Sequence, residues 1–140
     1  HIDAFGEDGY TGEETKVRNE TRKLLSMPDL AVSATCVRIP VMRGHSIAAH
    51  IETTDALSAD AARNLLTAAP GLILRDEPGG NVYPLAREAE DRDEVFVGRI
   101  REDSSHPRGL AMWIVGDNLR KGAATNAVQI AESLVTRGWL

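Results

Sequence analysis

The stretch VSATCVRIPVMRGHS, residues 32–46, holds the only cysteine of the chain, Cys36, with Arg38 two residues on and His45 seven beyond that. A thiol, a guanidinium and an imidazole are the parts of nucleophilic catalysis on an anionic substrate. The thiolate attacks, the imidazole moves the proton, and the guanidinium holds the anion. Residue types alone do not decide it. On a strand, Cys36 shares a face with Val32, Ala34 and Arg38, and a free cysteine on an apolar face acts as a small hydrophobe. Reactive thiols sit at helix N-termini or exposed beside a cation. Cys36 reads as structural, which leaves Arg38 and His45 to be explained.

Their placement depends on the elements that carry them. Residues 30–39 alternate and are β-branched, a strand pattern, and residues 45–54 read as a second strand after a turn spanning Pro40 to Gly44. An antiparallel hairpin with Arg38 opposite His45 would pair Cys36 with Ile47, Ala34 with Ala49 and Val32 with Ile51. One face would then be apolar along its length and end in an arginine and a histidine.

The other elements frame this pair. Thr11 with Glu14 three residues on is a capping-box pattern, opening a helix that runs to about Ser26 before Pro28. Within it Glu13 and Lys16 stand at i,i+3, a spacing that suits an ion pair. Ser58 caps a second helix that Pro70–Gly71 closes, and LILRD reads as a short strand. Residues 76–92 are rich in proline, glycine and charge and read as a long surface loop. EVFVGRIRE and LAMWIVGD read as a hairpin joined by DSSHPRG. The last segment, 119–137, predicts an amphipathic helix with Ala127, Ile130, Ala131 and Leu134 on one stripe. Asn118 suits its N-cap, where free amides can receive an anion. The expected class is α+β, a mixed, mainly antiparallel sheet with helices on one side.

Composition narrows the function. The 140 residues allow one domain with a real core. A net charge of -5 and 4% aromatics argue against a nucleic-acid surface. No apolar run reaches the roughly 18 residues of a membrane span. A single cysteine makes no internal disulfide and fits a reducing, cytoplasmic setting. His1, His45, His50 and His106 are scattered, so no metal site is expected. The 12 glycines form neither a dinucleotide fingerprint nor a P-loop. The chain opens on His1 and runs straight into IDAFGEDGYTGEE, which reads as the middle of a longer protein.

The segments EETK, NETRKLL, VSATCVRIPV, GHS, FVGRIRED and WIVGDNLRKGAATNAVQIAE, in this order, resemble the carboxy-terminal part of aspartate-semialdehyde dehydrogenase. The fold implied is like the C-terminal domain of the glyceraldehyde-3-phosphate dehydrogenase-like fold. The reaction implied is NADPH-dependent reduction of L-β-aspartyl phosphate to L-aspartate semialdehyde with release of phosphate, on the route to lysine, methionine and threonine. By resemblance, His45 matches the acid/base histidine and Arg38 the arginine that holds the substrate carboxylate. Glu13 matches the glutamate that meets the substrate amino group, Lys16 the lysine of the phosphate site, and Asn118 a position near the nicotinamide of NADP. The family nucleophile lies in an N-C-[ST] motif, and Cys36 is not in one. The resemblance therefore implies a substrate-binding and dimerisation domain over 1–140, with nucleophile and cofactor domain elsewhere. It implies a final helix, 119–137, that packs on that domain, a homodimer or homotetramer, and no activity from the chain alone. The alternatives are a non-catalytic paralogue or dimerisation module, and an enzyme like N-acetyl-γ-glutamyl-phosphate reductase.

Overall fold

A computed structural model describes all 140 residues, which divide into two compact units, His1–Pro40 and Val41–Leu140. The first unit is built on α1 (Gly12–Leu24). Its capping box forms as the sequence predicts: the Glu14 amide donates to Thr11 Oγ1 at 3.3 Å and the Thr11 amide to Glu14 Oε2 at 2.8 Å.

Residues 30–39 do not form the expected strand. They are extended, but no ladder includes them. Val32, Ala34 and Cys36 are half-buried and their neighbours exposed, so the alternation seen in the sequence is real. Its cause is a run alongside α1. Arg22 Nε donates to the Leu30 carbonyl at 2.8 Å, and the Cys36 amide donates to Glu14 Oε1 at 2.8 Å. A helix can bury every second residue of an extended segment as well as a neighbouring sheet can, and period-two patterning does not distinguish the two.

The second unit is a four-stranded mixed sheet of β1 (His45–Glu52), β2 (Leu72–Leu74), β3 (Val95–Glu102) and β4 (Gly109–Gly116), in the order β1-β4-β3-β2. Three neighbours make two antiparallel pairs, β1 with β4 and β3 with β4, while β2 joins β3 in parallel. The expected β3–β4 hairpin forms. The expected partner of β1 does not: Ile47, Ala49 and Ile51 face Ile114, Met112 and Leu110 rather than residues 32–36.

One face of this sheet packs on α2 (Ala59–Ala68). Ala59 and Ala62 meet Val97, Ile100 and Leu110 there, with Leu57, Leu66, Met112 and Ile114 around them. On the other face Ala89 of the single-turn α3 (Ala86–Ala89) packs on Phe96 and Val115, beside Trp113. Helical cover is thus unequal but present on both sides. The segment 76–92 is less of a surface loop than its composition suggests, because Pro84 and Ala89 are fully buried.

A β-bulge sets the alternation in β3. Gly98 faces Trp113 and Arg101 faces Ala111, so β3 carries one extra residue. Arg99 sits there at φ 54°, and Ile100 returns to the core face beside Val97. Asp76, with its side chain 1% exposed, clamps the bulge by accepting from the Arg99 amide at 2.7 Å, the Ile100 amide at 3.3 Å and Arg63 Nε at 2.8 Å. Gly98 cannot be larger: a Cβ there would lie 2.1 Å from the Arg75 carbonyl oxygen.

The chain ends in α4 (Thr125–Thr136), entered through a π-helical turn at Arg120–Ala124. The cap is Asp117, not Asn118. Asp117 Oδ1 accepts from the Leu119 amide at 2.7 Å and the Arg120 amide at 3.0 Å. Its Oδ2 accepts from the Asp91 amide at 2.8 Å. A carboxylate takes three amides where a carboxamide oxygen would take fewer, which is why the acid holds this turn. No residue of α4 is buried, and Val128, Ile130 and Val135 are exposed.

Candidate active-site residues

The first unit brings two of the expected site residues together. Glu13 and Lys16 lie on the first turns of α1, and Glu13 Oε2 is 2.6 Å from Lys16 Nζ. The Glu13 carboxylate holds the Lys16 ammonium above its ordinary pKa, so the lysine stays a cation throughout the neutral range. Arg38 lies two residues beyond the Cys36 amide that Glu14 holds. Its side chain is exposed and makes no ion pair within the chain, a free guanidinium fork.

Cys36 has the opposite of nucleophilic character. Burial pushes its thiol pKa up, and the carboxylates of Glu14 and Glu13 push it further, against a smaller downward pull from Lys16. A half-buried thiol beside two carboxylates stays protonated at neutral pH.

His45 and Asn118 come together in the second unit. His45 opens β1 opposite Gly116 and shares a face with Ile47, Ala49 and Ile51, so it stands at the end of an apolar row as expected, on a different partner strand. The residue before it, Gly44, has φ 93°, a left-handed conformation that favours glycine. The Gly44 amide donates to Asn118 Oδ1 at 2.9 Å across 74 positions of sequence. Asn118 therefore does not cap the helix. Asp117 takes that role, which frees the Asn118 carboxamide to fix the turn into His45.

The expected hairpin that would have set Arg38 opposite His45 is absent, and the two residues belong to different compact units. Sequence reasoning also missed Glu14, Asp76 and Asp117. Glu14 was visible as half of a capping box, but its second bond, 22 residues away at Cys36, has no local signature. The described residues contain no group of three or more side chains that could hold a metal ion.

Comparison with known proteins places these residues in a family. The sequence model described as "Semialdehyde dehydrogenase, dimerisation domain" matches residues 1–121. The chain belongs to that family. Among curated members, the aspartate-semialdehyde dehydrogenase of Aquifex aeolicus is 58% identical over 138 residues, and that of Bacillus subtilis 51% over 134. The matches cover 99% and 95% of this chain but 41% and 39% of those enzymes. The crystal structure of aspartate semialdehyde dehydrogenase II from Vibrio cholerae aligns with a TM-score of 0.90 at 45% identity, over 97% of this chain and 40% of that one. The same enzyme has been solved complexed with ASA. The chain thus spans about two fifths of the length of the family members it matches.

Proposed function

We propose that this chain is the substrate-binding and dimerisation part of an aspartate-semialdehyde dehydrogenase, converting L-β-aspartyl phosphate to L-aspartate semialdehyde and phosphate. The observation that carries the reading is the Gly44–Asn118 bond, which joins the residue before the proposed acid/base histidine to the proposed cofactor-side asparagine. Identity of 58% to an enzyme of this name supports it.

Each side chain has a job that its chemistry fits. Arg38 offers a planar fork to the substrate's α-carboxylate, a pairing that fixes orientation as well as charge. Glu13 and Lys16, paired with each other at 2.6 Å, exchange that contact for the substrate's ammonium and phosphate. The ion pair keeps both charges compensated before substrate arrives, and two new pairs replace it. His45 accepts the proton of a cysteine thiol supplied by another segment, so that the thiolate can displace phosphate from the acyl carbon. It then returns a proton as the aldehyde product leaves the thiol. Cys36, held protonated, takes no part.

NADPH, when bound, would supply the hydride and leave as NADP. One residue of this chain fits it: Asn118 spends its oxygen on Gly44, and its amide N–H donors have no partner within the chain. No glycine-rich phosphate loop is present in the sequence, so the remaining contacts belong to a nucleotide-binding part with the nucleophile. The exposed apolar residues of α4 are a surface for that part. The purified 140-residue chain is expected to show no dehydrogenase activity.

The test is His45→Gln in the complete enzyme, followed as phosphate-dependent reduction of NADP by L-aspartate semialdehyde. Loss of a general acid/base lowers kcat by about 10²–10⁴. Wild-type kcat with an unchanged pH profile contradicts the assignment.

A further inference from the structure

Glu14 spends its carboxylate in an unusual way. A capping box needs one carboxylate oxygen to receive the N-cap amide, and Glu14 Oε2 does this for Thr11 at 2.8 Å. The other oxygen, Oε1, receives the Cys36 amide, also at 2.8 Å, from the segment that carries Arg38. Glu14 is buried, and the Thr11 and Cys36 amides hold its pKa below the ordinary carboxylate range. No cation pairs with it, so two backbone amides do the work a partner charge usually does.

We propose that Glu14 is a positioning residue for the substrate-carboxylate site: one carboxylate clasps the start of α1 and the backbone two residues before Arg38, holding the Arg38 fork in register with Glu13 and Lys16. The inference rests on the proposed substrate roles of those three residues. Residues 30–39 have no strand partner, so few bonds hold this segment; beyond Arg22 to the Leu30 carbonyl, the Cys36–Glu14 bond is its tie to α1. From Cys36 to Arg38 the chain extends only about 7 Å at roughly 3.3 Å per residue, so fixing the Cys36 amide confines the base of the arginine. Without the clasp, the segment must be ordered at each binding event, and that entropy is charged to substrate affinity. Glu13 and Lys16 stay on the helix either way. The predicted defect is therefore one of binding.

The experiment compares variants of the complete enzyme by KM and kcat for L-aspartate semialdehyde. Glu14→Gln has one acceptor oxygen in place of two and cannot serve both amides. Glu14→Asp keeps the charge but is one methylene shorter, and provides a second arm should the glutamine variant not fold. Thr11→Ala is the control: it removes the Oγ1 acceptor of the same capping box and leaves the Cys36 bond intact. Arg38→Leu reports on the substrate assignment itself. The expected result is a KM rise of about tenfold in both Glu14 variants with kcat within about twofold, the signature of lost binding. Thr11→Ala should lose comparable thermal stability with KM unchanged. If Arg38→Leu raises KM while the Glu14 variants track Thr11→Ala, Glu14 is merely a helix cap and the inference is overturned. If Arg38→Leu leaves KM unchanged, the substrate role of Arg38 fails and takes the inference with it.

Discussion

The side-chain oxygen of Asn118 accepts the backbone amide of Gly44 at 2.9 Å, fixing the left-handed turn that delivers His45 to the end of β1. Replacement by alanine leaves a part-buried amide without its acceptor, at a cost of about 1–3 kcal/mol. Asn118→Ala should lower the urea midpoint of the chain accordingly. Asn118→Asp, which keeps the acceptor, should not. Equal midpoints for alanine and wild type would show that the turn holds without this bond.

A second prediction concerns the bulge that sets β3. The Asp76 side chain is buried and accepts from the Arg99 and Ile100 amides and from Arg63 Nε. Asp76→Ala removes the acceptor of two bulge amides and of Arg63 Nε, while Arg63 keeps Asp60 and the Ile100 carbonyl, a loss of about 1–3 kcal/mol measurable by denaturant unfolding. Asp76→Asn keeps one acceptor and should fall between alanine and wild type.

Acid should release the entry to α4. Arg120 Nε and Nη2 donate to the Asp93 oxygens at 2.7 and 2.8 Å, and Thr125 Oγ1 adds a third bond at 2.6 Å. The Arg120 hydrogen bonds, then that of Thr125, draw the Asp93 pKa down to about 2. An unfolded aspartate titrates near 3.9. The native state is thus the weaker proton binder, and this contribution to stability is complete above about pH 4 and lost as pH falls through about 2. Carboxyl NMR should show Asp93 titrating near 2 in the native chain and well above that in Arg120→Gln. A wild-type midpoint near 4 would mean the pair does not persist in solution.

The sheet face beside α2 is incompletely covered. Ile47 and Ile51 of the edge strand are 52% and 41% exposed, next to half-buried Met112 and Ile114. The proposed homodimer, formed through this face, would bury them. Ile47→Asp should shift the species seen by light scattering toward monomer, with the circular dichroism spectrum unchanged. A clean monomer from the unmodified chain at high concentration contradicts the proposed dimer.

Much of the fold was legible in the sequence because it was locally encoded. The Thr11–Glu14 box, the Ser58 cap, the β3–β4 hairpin and the run from His45 to Glu52 all carry their signals within a few residues. The failures were failures of pairing. Residues 30–39 have the alternation of a strand and take it from a helix, and β1 pairs with β4, some 60 residues on, rather than with the nearest candidate. Nothing in one sequence ranks those partners. Asn118 was expected to cap the last helix and does not: adjacent Asp117 and Asn118 both suit a cap, and only the three amides around Asp117 decide between them. The expected Glu13–Lys16 pair did form, as i,i+3 spacing dictates.

The most direct test of the central claim is a crystal structure of the complete enzyme with L-aspartate semialdehyde bound. The account predicts the substrate carboxylate in bidentate contact with Arg38 at about 2.7–2.9 Å, the ammonium on Glu13, and His45 beside a thiol contributed from outside residues 1–140. A substrate carboxylate seated on another cation, with Arg38 pointing into solvent, would contradict it.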